Sequence, residues 1–192
     1  MTEIGIIRHG VTHWNKERRA QGSSDIPLDQ EGLMQAKQLA ERMSEQAWDI
    51  IYSSDLLRAQ QTAKAIGDKL GLPLQLDSRL RELGGGLIEG TTEEERIARW
   101  GPEWRKLDLE MESPDSVIAR GMLFMDEITV RHAGQKILIV SHGAFIRHML
   151  RVVVPHFNFG ESLKNTSVTS LVRVDENWDC SLYNCTKHLT GS

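Results

Sequence analysis

The chain has 192 residues, and this length favours one compact domain that covers residues 1–192. Apolar side chains make up 40% of it, and with its 16 glycines this is the composition of a globular protein, not of a disordered chain. Because 27 acidic residues outnumber 23 basic ones, nucleic acids and anionic membrane surfaces are not expected as partners.

The sequence also bears on where the protein works. No apolar run approaches the roughly 18 residues of a membrane-spanning helix, and the first residues, Met-Thr-Glu-Ile-Gly, show no pattern of a secretory signal. We therefore expect a cytoplasmic protein. Cys180 and Cys185 are too few for a disulfide scaffold and are expected to be free structural thiols, with a metal or redox role as the alternative.

The first predicted elements are a strand and a helix. Residues 3–8 form a short β-branched run before Gly10, which predicts a buried strand. A helix is expected from about Asp29, because apolar residues recur with helical spacing from Leu33 to Ala47.

A second strand and helix follow in the same order. Residues 49–52 predict the strand, and Ser53 or Ser54 is expected to provide the N-cap of the helix. Gly71 and Pro73 should end that helix.

Residues 83–113 lack this regularity. Three glycines open the segment, and Thr91 with Glu94 has the spacing of a capping box for a short helix. We expect a lid-like excursion over the sheet.

Regular elements return after the excursion. Ser113 and Pro114 predict the start of a long helix that runs to about His132, and residues 136–140 predict a strand. Residues 167–174 and 178–183 then predict two late strands joined as a hairpin near Glu176 and Asn177. This alternation predicts an α/β fold, a three-layer α/β/α arrangement with a largely parallel open sheet.

Two predicted strands end in a similar way. Residues 6–10 read Ile-Ile-Arg-His-Gly and residues 139–143 read Ile-Val-Ser-His-Gly, so each strand delivers a histidine at its carboxyl end. Ligands bind at that end of open α/β sheets, near helix N-termini that favour anions. With Arg8 and Arg58 nearby, the pocket suits a phosphate group.

The same residues indicate a reaction. A neutral imidazole can attack phosphorus directly, and guanidinium groups can stabilise the oxygens of the in-line transition state, so His9 is the expected nucleophile. The leaving alcohol needs a proton, and Glu82 is our candidate for a carboxyl group that retains one.

The ordered set of motifs resembles the histidine phosphatase superfamily, also called phosphoglycerate mutase-like. Residues 8–15 read Arg-His-Gly-Val-Thr-His-Trp-Asn, similar to the family signature. Four further stretches match in order and spacing, at residues 21–28, 53–59, 80–82 and 141–143, so the resemblance covers about residues 3–188.

The resemblance implies roles for individual residues. It implies that His9 becomes phosphorylated, that Arg8, Arg58 and His142 surround the phosphoryl group, and that Glu82 donates and accepts a proton. It also implies phosphate or substrate contacts for a second group, made of Asn15, Gln21, Gly22 and Gly143, and it implies no metal and no organic cofactor. The expected partner is a small phosphorylated substrate, because the chain is most similar to the short bacterial broad-specificity phosphatases.

Two departures from the family pattern bear on specificity. Many members have a tryptophan before Glu-Gly, where this chain has Ile88-Glu89-Gly90, so the floor of the substrate pocket should differ. The family's Gly-Glu-Ser before the long helix is also replaced, and we place the replacement at Pro114-Asp115-Ser116.

Other functions are consistent with parts of the sequence. A cofactor-dependent phosphoglycerate mutase is the alternative within the same fold, although such mutases are longer and carry insertions that this chain lacks. A phospho-ligand-binding protein without turnover is the alternative from another class. A serine hydrolase is disfavoured because Ile139 stands where its nucleophile motif has glycine, and the spacing of His9 and His13 suits zinc only on a helix.

Overall fold

The protein is built on one mixed six-stranded sheet. The computed structural model describes residues 1–175 and 177–189. Its strands are β1 (Glu3–Arg8), β2 (Ile50–Ser53), β3 (Leu74–Leu76), β4 (Lys136–Ser141), β5 (Val168–Val174) and β6 (Asn177–Cys185). Their order in the sheet is β3-β2-β4-β1-β5-β6; the first four are parallel, and β5 runs antiparallel to both β1 and β6.

Helices cover both faces of this sheet. They are α1 (His13–Lys16), α2 (Gln30–Met43), α3 (Leu57–Leu70), α4 (Glu93–Trp100), α5 (Pro114–Arg131) and α6 (Gly143–Val153), and short 3₁₀ turns lie at Ser78–Leu80, Gly86–Ile88, Trp104–Lys106 and Lys187–Leu189. α5 and α6 pack on one face, and α2 and α3 pack on the other. The predicted three-layer α/β/α fold with a largely parallel sheet is therefore confirmed. None of the helices in the described ranges is long and apolar enough to span a membrane.

The core is continuous through the sheet because neighbouring side chains of a strand point to opposite faces. In β4, Ile137 faces α5 and α6, whereas Leu138 faces α2 and α3. Gly5 in β1 leaves room for a close contact: a Cβ built there would lie 2.8 Å from both Leu138 Cδ2 and Trp48 Cη2.

α2 is shorter than its apolar pattern predicts. It ends at Met43, with Ser44 as C-cap, so Ala47 lies outside it and is exposed. Leu33 is also exposed, although it begins the apolar stripe. The next buried side chain is Trp48, which follows the helix and packs against β1.

α3 is not capped by a serine side chain. It begins at Leu57, with Leu56 as N-cap, so the prediction of Ser53 or Ser54 as the cap is wrong. The first helical N–H donates instead to Asp25 Oδ1 at 2.6 Å. Gly71 ends the helix in the left-handed conformation, as expected.

The segment over residues 83–113 has its own small apolar cluster, formed by Ile88, Trp104 and Leu109. Its capping box is formed by Thr92 and Glu95, one residue after the predicted pair. The reason is that the Thr91 hydroxyl donates to the carbonyl oxygen of Ile88.

The long helix begins at Pro114 with Ser113 as N-cap, as predicted, so Met111-Glu112-Ser113 directly precede it. The predicted replacement of the family's Gly-Glu-Ser, at residues 114–116, lies in the first turn of this helix and not before it. The two late strands pair antiparallel as expected. The turn between them is predicted near Glu176 and Asn177, and Glu176 lies outside the described residues. Cys180 and Cys185 are free.

Candidate active site

The two strand-end histidines lie side by side. β1 and β4 are neighbours in the sheet, and Arg8 is in register with Ser141, so the next residue of each strand leaves the sheet at the same edge. The rings of His9 and His142 are 5.1 Å apart between centroids, and both side chains are buried. The structure thus brings together the pair that the sequence singled out.

The ring of His9 is oriented by its own chain. Nδ1 lies 2.7 Å from the carbonyl oxygen of Gly10. Because a carbonyl oxygen only accepts, Nδ1 carries the hydrogen and Nε2 keeps its lone pair. Burial lowers the pKa of His9 well below its ordinary value of 6.5, and the charges of Arg58 and Arg8 lower it further. The imidazole is therefore neutral near neutral pH.

The backbone around His9 is fixed by other elements. The amide of Gly10 donates to Thr62 Oγ1 at 3.0 Å, and Asn165 Nδ2 donates to the carbonyl oxygen of His9, also at 3.0 Å. A Cβ on Gly10 would approach the carbonyl oxygen of Gly32 to 2.8 Å. Asn165 could not be identified from the sequence, because nothing in its local pattern shows that it reaches the end of β1.

His142 shares a hydrogen bond with a serine. Its Nε2 lies 2.8 Å from Ser54 Oγ, which also accepts from the amide of Leu56 at 3.3 Å. Burial lowers the pKa of His142 well below 6.5, with Arg58 as the next cause. Its Nδ1 is buried and has no partner among the described residues.

The two arginines are held mainly by carbonyl oxygens. Arg58 is fully buried and donates to the carbonyls of Ser24 at 2.7 Å and Gly22 at 2.8 Å. Burial lowers the pKa of Arg58 to about 10. Arg8 donates to the carbonyl of Leu163, and its Nε lies 3.2 Å from where a Cβ on Gly143 would be. Gly143 therefore allows Arg8 to lie against the start of α6.

The cluster has unused hydrogen-bond donors. Six side-chain atoms in the described part of the chain are buried without a partner, and three of them are Arg8 Nε, Arg58 Nε and His142 Nδ1. Buried polar atoms are normally paired, so the two guanidinium donors, together with the unpaired His142 nitrogen, indicate a place for an acceptor that the described residues do not supply. An oxyanion is the acceptor that such donors bind most strongly.

Glu82 lies at the N-terminus of α6. Its carboxylate accepts hydrogen bonds from the amides of Phe145 and Leu83, both at 2.8 Å, and from the amide of Ala144 at 3.1 Å. All three donors are backbone amides, and they fix the position of the carboxyl group. Glu82 and Arg8 both line a cavity of about 230 Å³.

A third arginine, Arg120, holds the backbone at Glu82. Arg120 of α5 donates to the carbonyls of Arg79 and Arg81, each at 2.7 Å, and to that of Glu82 at 3.0 Å. It also forms an ion pair of 2.9 Å with Glu112. Hydrogen bonds from Arg120 lower the pKa of Glu112 to about 2. Local sequence pattern does not predict these contacts, because Arg120 lies in α5 and its partners lie outside that helix.

The remaining expected site residues lie in α1, which contains Asn15, and in the loop after it, which contains Gln21 and Gly22. Asn15 Oδ1 accepts from the amide of Thr12, and Gln21 Oε1 accepts from the Thr12 hydroxyl, both at 3.0 Å. Gly22 has a φ of 49°, and a Cβ there would meet Glu89 Oε1 at 2.1 Å. Glu89 accepts hydrogen bonds from the amides of Ser23 and Gly85, so it links this loop to the three glycines at residues 84–86.

Comparisons with known proteins agree with this geometry. A family model described as "Histidine phosphatase superfamily (branch 1)" matches residues 4–186. The "Uncharacterized phosphatase PhoE" of Bacillus subtilis (strain 168) is 33% identical over 194 residues, which cover 100% of this chain and 98% of that protein. The "Probable phosphoglycerate mutase GpmB" of Yersinia pestis (strain Pestoides F) is 38% identical over 184 residues, which cover 91% and 85%. The solved structure of a mycobacterial glucosyl-3-phosphoglycerate phosphatase with VO3 has a TM-score of 0.85 and 27% identity, and the match covers 95% of this chain and 98% of that one.

Proposed function

The chain belongs to the histidine phosphatase superfamily, and on this premise we propose that it hydrolyses phosphomonoesters of small metabolites through a phosphohistidine on His9. The observation that carries the proposal is the neutral His9 imidazole, whose Nε2 has no hydrogen-bond partner among the described residues, beside two buried guanidinium N–H groups that have no acceptor there either. A phosphoryl group supplies both the electrophile for the imidazole and the acceptors for the donors.

The proposed reaction has two steps. In the first, Nε2 of His9 attacks phosphorus in line, the bond from phosphorus to the ester oxygen breaks, and the alcohol leaves with a proton from Glu82. In the second, water attacks the phosphohistidine, its proton passes to Glu82, and phosphate leaves as Nε2 regains its lone pair. Arg8, Arg58 and His142 stabilise the phosphoryl oxygens throughout.

The other expected residues have supporting roles in this proposal. Asn15 provides a phosphate contact from α1, and Gln21 and Gly22 lie where the substrate approaches. Gly143 lets Arg8 lie close to α6. We further propose a cytoplasmic location, supported by the two free thiols at Cys180 and Cys185.

A phosphoenzyme assay tests the proposed nucleophile. The wild-type protein, incubated with a phosphomonoester labelled on phosphorus, should acquire an acid-labile label, and His9→Ala should not. The assay contains EDTA, because the proposed chemistry takes its positive charge from arginines rather than from a metal ion. His13→Ala is the matched control, since His13 is exposed and lies only four residues away. A label that persists in His9→Ala would place the nucleophile elsewhere.

A phosphoglycerate mutase is the second candidate, favoured by the 38% identity to a probable enzyme of that kind. A panel of phosphomonoesters that includes 3-phosphoglycerate and a bisphosphoglycerate primer separates the two functions. Release of free phosphate supports the phosphatase, whereas isomerised product with little free phosphate supports the mutase. Binding without label, phosphate release or isomerisation would support the phospho-ligand-binding protein.

A further inference from the structure

A charged cavity lies against Arg8 and Glu82, two residues of the proposed site. Its volume is about 230 Å³, and its lining includes Arg8, Glu82, Gly143 and Arg147. In the proposed function Arg8 binds the phosphoryl group and Glu82 protonates the leaving alcohol, and because both residues line this cavity, it is where the alcohol would lie. Its charged residues can therefore select among alcohols.

Arg147 is the cation of this cavity that has no role so far. It is exposed, and no hydrogen bond or ion pair joins it to any residue in the ranges 1–175 and 177–189. The other arginines of the site are held by carbonyl oxygens or, like Arg120, by carbonyl oxygens and a carboxylate. An unpaired guanidinium at the edge of a cavity is available to a ligand.

The position of Arg147 on α6 keeps it over the cavity. Gly143 and Arg147 are four residues apart, so they lie on the same face of the helix, one turn from each other. Gly143 adjoins Arg8 Nε. Burial lowers the pKa of Arg8, and the positive charge of Arg147 lowers it further, as expected for two nearby cations facing one space.

We propose that Arg147 is a specificity-determining residue that binds a carboxylate on the leaving alcohol, so that the preferred substrates are phosphate esters of hydroxy acids. This inference rests on the phosphatase function proposed above. A guanidinium matches a carboxylate with two parallel hydrogen bonds. Because Arg8 is assigned to the transferred phosphoryl group, Arg147 is left for a second anion, and its one positive charge matches the one negative charge of a carboxylate.

The test compares two substrates that differ only in this group. The alcohol of 3-phosphoglycerate carries a carboxylate where that of glycerol 3-phosphate carries a hydroxymethyl group. Arg147→Gln should lower kcat/KM for 3-phosphoglycerate about tenfold, mainly through a higher KM, and should change kcat/KM for glycerol 3-phosphate less than about twofold. Arg147→Lys should restore part of the loss, because it keeps the charge but not the paired geometry.

Arg151→Gln is the matched control. Arg151 lies one turn further along α6, is exposed, and is not part of the cavity lining. The control should leave both substrates unchanged. Equal losses on both substrates in Arg147→Gln, or no loss on either, would overturn the inference. 2,3-Bisphosphoglycerate is measured as a third substrate. A loss confined to it would also overturn the inference, because it would assign Arg147 to a second phosphoryl group.

An aryl phosphate distinguishes failure of this inference from failure of the proposed function. If the wild-type protein hydrolyses p-nitrophenyl phosphate but does not prefer the carboxylate substrate, only the inference fails. If it hydrolyses no phosphomonoester at all, the proposed function fails with it.

Discussion

Glu112→Gln should destabilise the protein, because it removes the charge that pairs with Arg120. The pKa of Glu112 is lowered from 4.5 to about 2. At 1.36 kcal/mol for each pKa unit, this corresponds to about 3 kcal/mol of stability at neutral pH. The Glu112 side chain is 22% exposed, so solvent screening reduces the expected loss to about 2 kcal/mol.

The loss should depend on pH in a defined direction. The pKa of Glu112 is lower in the folded protein than in the unfolded chain, so its contribution is fully present above about pH 4.5 and is lost as the pH falls through about 2. The difference between wild type and variant should therefore be constant from about pH 7 to 5.5. Less than half of it should remain at about pH 3.

Urea unfolding followed by tryptophan fluorescence measures this difference at each pH. Glu110→Gln is the control, because Glu110 is exposed in the same segment and no ion pair to its carboxylate is found among the described residues. The reasoning is refuted if Glu110→Gln costs as much as Glu112→Gln, or if the loss from Glu112→Gln is unchanged at about pH 3.

Three further predictions concern the core and the chemistry. Gly5→Ala should lower the free energy of unfolding by about 1–3 kcal/mol, because its Cβ would overlap Leu138 and Trp48; an unchanged urea midpoint would contradict the contact. The acid limb of kcat/KM for an aryl phosphate should lie well below pH 6.5, because burial, Arg58 and Arg8 lower the pKa of His9; a limb at or above 6.5 would argue against a neutral nucleophile. Glu82→Gln should slow hydrolysis of alkyl phosphates much more than that of p-nitrophenyl phosphate, and equal losses would exclude its role as proton donor.

The sequence predicts elements well where local pattern decides the structure. β1 and β4 appear where β-branched runs predict them, and the Ser113-Pro114 pair marks the start of α5. The meeting of His9 and His142 could also be predicted, because parallel strands end at the same edge of a sheet.

The sequence predicts poorly where a distant contact decides between local alternatives. Thr91 and Thr92 each have a glutamate three residues later, so either could begin a capping box. The Thr91 hydroxyl donates to the carbonyl oxygen of Ile88, and the capping box is formed by Thr92 and Glu95. Serine is common at N-caps, but α3 begins three residues after Ser54, and the Ser54 hydroxyl lies 2.8 Å from His142 Nε2. Likewise, local pattern gives no sign that Arg120 reaches three carbonyls near Glu82.

The pairing of β1 with β4 has a consequence for how the protein is made. Ile4 pairs with Ile137, so the first strand emerges from the ribosome long before its central neighbour has been synthesised. Until then its apolar faces have no sheet to join, and contacts of such long sequence separation form slowly. A nascent chain that stops before β4 lacks His142 and the strand that positions it, so catalytic competence can arise only late in synthesis.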